Sequence, residues 1–335
     1  MAIDELIIIG EWINYNASLS FEKKGGSPTV RGHLRNLAQT PVDERDFTPI
    51  TKLAIRQAKL GVQYIDVNVD VNIEDLDNFE GDAKELTTKL MEQTIVVIQD
   101  ALYAKNLDVP LCIDSADPDL LKAGYKVYNL NKFHKLPKSE RLPILNSVTE
   151  SNADTILSLG QERNYQVVLN LSERGKGESA VPNKTTEETY ETAERLFAIA
   201  KKYGFATTQI YIDTCINPIV YFGMVKGFDI DLEIIEKVNS NSAMKGVHKM
   251  VGLSNLTKNM ERKESKPDIY NGFLTLAMER GLDTIIGSAS ADYEKLEDSK
   301  PIVMGMKAVV KASDENSKYT AYATKIVPKF LAKEE

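Results

Sequence analysis

Short apolar runs that stop at a polar residue recur along this chain, and a stretch long enough for a helix follows nearly every one. Leu6-Ile7-Ile8-Ile9-Gly10 leads to Glu11, Tyr64-Ile65 to Asp66, Leu111-Cys112-Ile113 to Asp114, and Ile144-Leu145 to Asn146. Further along come residues 166–171, Ile210-Tyr211-Ile212 before Asp213, Met250-Val251-Gly252-Leu253 before Ser254 and Asn255, and residues 284–287. Runs this short, apolar on both faces, suit the strands of a parallel sheet covered by helices. The intervening stretches predict helices over residues 50–60, 84–105, 118–124, 186–203, up to 238, 270–280 and up to about 312. Gly61, Gly204 and Gly281 mark three C-terminal ends, and Asp117 with Pro118 marks an N-terminal start. Strand then helix, eight times over, without a linker-like break, predicts an α/β fold: a single (β/α)8 TIM barrel spanning residues 1–335. A doubly wound open sheet is the structural runner-up. It is disfavoured because no Gly-x-Gly-x-x-Gly follows the first strand.

Two segments exceed what a barrel needs. Residues 15–47 are polar, hold Lys23-Lys24-Gly25-Gly26-Ser27-Pro28, and read as a functional lid or partner-binding loop without a core pattern. Residues 126–141 form a basic insertion between a helix and the next strand, which assigns it to the barrel face opposite the active site. A polar tail from about residue 313 is placed to cross back over the barrel. The net charge of −8 and the lack of a basic stripe argue against nucleic acid. No apolar run approaches membrane-spanning length and the start is acidic, so no membrane partner and a cytoplasmic location are expected. Cys112 and Cys215 both lie in apolar, strand-like sequence and read as free buried thiols.

Polar residues collect at the strand ends: Glu11 and Asn14 after strand one, Asp66 and Asn68 at two, Asp114 at three, Asn146 at four, Asp213 at six and Asn255 at seven. In a parallel barrel all of these converge on one mouth. Any one alone is more often a cap or a hydrogen-bonded structural side chain, and Ser254-Asn255 could simply start the next helix. As a set they describe a site. Carboxylates crowded there repel one another unless some are protonated, hydrated or paired with donors. Three histidines, no His or Cys pair at ligand spacing and no Asp-x-Asp-x-Asp run leave no basis for a tightly bound metal or a Ser-His-Asp triad. Amides among acids fit a neutral ligand rich in N–H groups. A 2-amino-4-oxo pterin offers parallel donors to one carboxylate and a carbonyl to amides.

Ile8-Ile9-Gly10-Glu11-Trp12-Ile13-Asn14, Ile65-Asp66-Val67-Asn68, Cys112-Ile113-Asp114-Ser115, Ile144-Leu145-Asn146-Ser147, Ile210-Tyr211-Ile212-Asp213 and Gly252-Leu253-Ser254-Asn255 resemble, in order, the strand ends of the pterin-binding methyltransferases. The resemblance runs over residues 7–287. It implies a dihydropteroate synthase-like barrel, homodimeric, that moves a methyl group between N5 of methyltetrahydrofolate and the cobalt of a corrinoid held by a partner protein. Carried over, Asp114, Asn146 and Asp213 hold the pterin and Asn255 lies beside N5. Glu11, Asn14, Asp66 and Asn68 support them, and Gly252, Ser254, Lys258 and Arg262 complete the folate-binding set. Trp12 replaces the usual basic residue, Lys258 stands where Gln is common, and Arg262 or Lys263 is the shifted basic residue beyond the motif. The two insertions favour the second methyltransferase of a corrinoid-dependent O-demethylase system. The alternatives are a methyltransferase acting on a corrinoid iron-sulfur protein in acetyl-CoA synthesis and a non-catalytic folate-binding subunit. Dihydropteroate synthase itself is disfavoured, because Val69-Asp70-Val71-Asn72-Ile73-Glu74 stands where a phosphate-binding Ser/Thr-Arg-Pro belongs and no His follows His248. An aldehyde-lyase barrel is weakened because no strand end offers a Schiff-base Lys.

Overall fold

The computed structural model describes residues 2–15, 29–76, 82–133, 135–161 and 164–332. Eight parallel strands close into a barrel: β1 (Ile7–Asn14), β2 (Tyr64–Asn68), β3 (Leu111–Asp114), β4 (Ile144–Val148), β5 (Gln166–Asn170), β6 (Ile210–Asp213), β7 (His248–Gly252) and β8 (Thr284–Gly287). Each strand pairs with its sequence neighbours, and β8 closes on β1 through Ile7 to Gly10 against Thr284 to Gly287. The expected eightfold alternation is what forms.

Side chains alternate along a strand, so every second residue enters the lumen. Ile9, Tyr64, Cys112, Ile144, Val168, Tyr211 and Met250 form one buried cluster there. Below them the Tyr211 hydroxyl donates to Gln166 Oε1 (3.1 Å) and Gln166 Nε2 donates to the Tyr64 hydroxyl (2.7 Å). The lower barrel is therefore filled, and polar residues one pleat above it face the mouth.

Helices cover the outside: α1 (Val30–Gln39), α2 (Thr48–Lys59), α3 (Ala83–Ala104), α4 (Pro118–Val127), α5 (Ala153–Leu157), α6 (Thr186–Lys202), α7 (Phe228–Ser240), α8 (Leu253–Leu256), α9 (Lys266–Glu279), α10 (Pro301–Lys311) and α11 (Glu315–Lys325). Their starts follow local chemistry. Asp82 accepts from the backbone N–H of Lys84 at 2.8 Å to open α3, Asp117 accepts from Asp119 N–H to open α4, and Thr185 with Glu188 forms a capping box for α6. Gly204, at φ +88°, ends the turn after α6 in a conformation that other residues rarely adopt.

The structure corrects several expectations. Residues 15–47 are not one structureless loop, because α1 lies within them and buries Val30, Leu34, Leu37 and Ala38. These four positions make one apolar stripe, and Thr29 caps the helix by accepting from Gly32 N–H at 3.0 Å. The helix packs against α3 and β1. Residues 16–28, including the Lys-Lys-Gly-Gly stretch, lie outside the described residues. A short antiparallel pair, Glu173–Arg174 with Val181–Pro182, follows β5 unannounced by the sequence. Cys215 stands beyond β6 in a left-handed turn (φ +57°), not in strand, and both cysteines are free.

The insertion at residues 126–141 does lie at the N-terminal end of the barrel. With Ile7, Tyr64, Gln166, Tyr211 and His248 it borders a cavity of about 1470 Å³ there. The tail forms α11 and packs over the loop after β6 and the start of α7, where the Tyr322 hydroxyl donates to Ile219 O (2.9 Å) and Lys318 pairs with Asp229 (2.7 Å). No described helix is long and apolar enough to cross a membrane.

Because Leu34 is fully buried, Leu34→Ala should cost about 2 to 5 kcal/mol in urea unfolding. A loss under about 1 kcal/mol would show α1 to be a surface ornament.

Candidate active site at the barrel mouth

The period of two that fills the lumen also sets the site. Two residues beyond Tyr64, Cys112, Ile144, Tyr211 and Met250 stand Asp66, Asp114, Asn146, Asp213 and Gly252. Register then lines them up: Asn14 faces Asn68, Asn68 faces Asp114, and Asp114 faces Asn146. Four neighbouring strands thus carry an amide, an amide, an acid and an amide at one level of the mouth. On the far side Asn170 of β5 stands level with Asp213 of β6.

β1 reaches that level through a bulge. Between Gly10 and Ile13 it gains one residue relative to β2. Gln57 from α2 repairs the ladder by accepting from Trp12 N–H at 3.0 Å. A β-carbon on Gly10 would fall 2.5 Å from that Gln57 oxygen, so a larger residue there would push aside the amide that holds the bulge. The extra residue shifts the alternation so that Glu11 and Asn14, three apart, both serve the mouth. Trp12 turns the other way: it is buried under the Arg56 guanidinium (5.0 Å to the ring centroid), and its indole N–H donates to Ser288 Oγ (3.2 Å).

The acids are held in unequal states. Asp66 is almost fully buried, with one oxygen accepting from Asn14 Nδ2 (3.3 Å) and the other lacking a partner among the described residues. Burial first, and then the Asp114 charge, raise its pKa well above the ordinary value. Asp114 is pushed up to about 7 by burial and by Asp70, against a hydrogen bond from Asn68. Asp213 is pushed up to about 6 by burial, held back by the Cys215 N–H at 2.9 Å and by the Lys226 charge. Burial also raises Glu11, opposed by its hydrogen bond with Ser254. Asp66 is closed off, while Glu11, Asp114 and Asp213 are partly buried acceptors that still open to the mouth, so a ligand that brings N–H groups would be favoured there.

β7 ends in α8, a single turn. Gly252 occupies the N-cap position and no side chain caps the helix. Ser254 and Asn255 are inside that turn, which removes the capping role as the reason for either. Asn255 is exposed at the rim. Its amide folds back over Gly252, where a β-carbon would stand 3.0 Å from Nδ2, so a larger residue at 252 would displace it. Lys258 is exposed just beyond, whereas Arg262 pairs with Glu264 at 3.1 Å.

Three residues at this mouth went unremarked in the sequence. Asp70 accepts from Ser115 Oγ (2.6 Å) and Ala116 N–H (3.0 Å), tying β2 to the start of the loop after β3. The Asp66, Asn68, Asp70 spacing was its signal, since alternate residues share a face. Asn170 had the same signal, standing two positions beyond Val168. Lys226 had none, because a loop lysine reads as solvent-exposed.

Comparison with known proteins points to a family. The family described as pterin binding enzyme matches residues 42–287, from just before α2 to the end of β8. A methylcorrinoid:tetrahydrofolate methyltransferase of Eubacterium limosum is 26% identical over 286 residues, covering 84% of each chain. Among solved structures, dihydropteroate synthase from Xanthomonas albilineans in complex with 7,8-dihydropteroate is 15% identical with a TM-score of 0.49, covering 93% of this chain and 97% of its own. The dihydropteroate synthase of Coxiella burnetii in complex with pteroic acid is 14% identical at the same TM-score, covering 98% and 96%. With eight strands closed, a mouth of acids and amides, and a family match over most of its length, the chain belongs to the pterin-binding enzymes.

Proposed function

We propose that this protein transfers a methyl group between N5 of tetrahydrofolate and the cobalt of a corrinoid carried by a partner protein. The observation that carries the reading is the level run of Asn14, Asn68, Asp114 and Asn146, with Asn170 and Asp213 level with each other on the far side of the same mouth. A pterin edge presents the donors those acids lack and the acceptors those amides can serve. The similarity to the Eubacterium limosum enzyme supports methyl transfer over diphosphate displacement, and that enzyme's name runs from methylcorrinoid to tetrahydrofolate. The same direction suits the second methyltransferase of an O-demethylase system.

In the direction of folate demethylation, the N5–CH3 bond breaks and its electron pair stays on N5, while Co(I) supplies the pair for the new Co–C bond. A tertiary amine leaves poorly, so N5 must gain a proton as the bond breaks. Asn255 cannot supply that proton. Its carbonyl can accept from the N5–H that forms, a fixed dipole aimed at developing positive charge. Glu11, bonded to the neighbouring Ser254 and held towards its neutral form, belongs to the acid shell through which a proton from water would pass. Formation of methyltetrahydrofolate follows the same contacts in reverse. The mouth must stay open above Asn255, because cobalt and methyl have to approach along one line.

Two outcomes follow. Asp213→Ala and Asp114→Ala should each weaken methyltetrahydrofolate binding by roughly 1.5 to 3 kcal/mol, and wild-type affinity should fall as pH drops through 7 to 6, because the carboxylates that accept the pterin donors become protonated. Calorimetry that finds both variants unchanged would remove the pterin from this mouth. Asn255→Ala should slow methyl transfer to free cob(I)alamin by about 10² to 10³ with a smaller loss of affinity, and the wild-type rate at saturating folate should rise as pH falls. Stopped-flow traces within a few fold of wild type would reduce Asn255 to a rim residue, and a wild-type protein that binds folate without transfer would be a binding subunit.

A further inference from the structure

Behind Asp213 lies a buried cation that the fold alone does not explain. Lys226, at the far end of the loop that begins with Thr214, turns back into the protein with its side chain 3% exposed. Its ammonium donates to Asp231 Oδ1 at 2.6 Å, and Asp231 is completely buried on the first turn of α7. It also donates to the carbonyl oxygen of Thr214, the residue directly after Asp213. The next residue, Cys215, is held in the left-handed region at φ +57° and aims its N–H at Asp213 Oδ1 (2.9 Å). Asn217 Nδ2 donates to the Lys226 carbonyl at 3.3 Å, closing the loop a second time.

A buried ion pair gains little over apolar side chains of the same volume, because both charges leave water. The groups that face Asp213 are Asp114 across the mouth, the Cys215 thiol on its own turn, Lys226 at the end of the loop and Asp231 on α7. Lys226 is the one cation of that set. β5 and β7 contribute Asn170 and Met250 at this level, neither charged.

We infer that Lys226 is a positioning residue for the pterin site: clamped by Asp231 and the Thr214 carbonyl, it fixes the turn that presents Asp213 and supplies the counter-charge behind that carboxylate. The inference rests on the reading that Asp213 accepts from the pterin. Asp231 tempers the effect, since its own negative charge opposes that of Lys226 at Asp213. The two partners of one ion pair should therefore act on folate binding in opposite senses.

The test is methyltetrahydrofolate affinity by calorimetry between pH 5 and 8.5 for wild type, Lys226→Met, Asp231→Asn and Lys226→Met/Asp231→Leu. Loss of Lys226 should move the acid limb of binding up by about one pH unit, weakening binding severalfold near pH 6 and hardly at pH 8.5. Asp231→Asn should move the limb down. The apolar double variant, which leaves no unpaired buried charge, should move the limb up as Lys226→Met does but by less, because the opposing Asp231 charge goes too, and it keeps the test open if the single variant fails to fold. In an Asp213→Asn background the Lys226→Met change should leave the limb where it is. Losses by the same factor at every pH, or shifts in the same direction for both partners, would leave Lys226 as a structural clasp and overturn the inference. Asp213→Asn binding folate as wild type does would instead overturn the reading of Asp213 itself.

Discussion

Everything at the mouth depends on the two-residue alternation of strands closed into a barrel. Once Ile9, Tyr64, Cys112, Ile144, Val168, Tyr211 and Met250 fill the lumen, the residues two positions further on have nowhere to point but the opening. Six of these seven are followed in that way by an acid, an amide or glycine already expected at the site: Glu11, Asp66, Asp114, Asn146, Asp213 and Gly252. Val168 is followed by Asn170. Only β1 needs a bulge to keep both Glu11 and Asn14 in place, and Gly10 with Gln57 provides it.

The acids impose a cost on the fold that a ligand would relieve. Asp66, Asp114 and Asp213 all have folded pKa values raised above those of an unfolded chain, chiefly by burial. Between roughly pH 4 and pH 7 these three groups therefore hold more protons in the native state than in the unfolded chain, and their contribution to stability falls as pH rises through that window. A pterin offering N–H donors favours the ionised carboxylates and offsets that loss. Lys226 does the same for Asp213 from behind, without occupying the space the ligand would take.

Much of this was legible in the sequence, because strand ends in a parallel barrel are written as apolar runs that stop at polar residues. The fold, the eight strands and the convergence of Asp66, Asn68, Asp114, Asn146 and Asp213 come from that pattern. Helix α1 was missed although Val30, Leu34, Leu37 and Ala38 recur at helical spacing. Its charged and polar partners lower the mean hydropathy of the segment, and contact with α3 and β1 decides the outcome. The bulge in β1 was invisible because an extra residue in a strand changes register and not composition. Lys226 was invisible for a stronger reason: its burial depends on Asp231 and on the path of a loop, neither of which periodicity encodes.

The decisive measurement is a crystal structure of the chain with methyltetrahydrofolate bound. The pyrimidine edge of the pterin should lie within hydrogen-bond distance of Asp114, Asn146 and Asp213, with N5 turned towards the Asn255 amide. Folate bound instead in the cavity at the opposite end of the barrel, or at the mouth with its pyrimidine edge away from these three side chains, would contradict that placement.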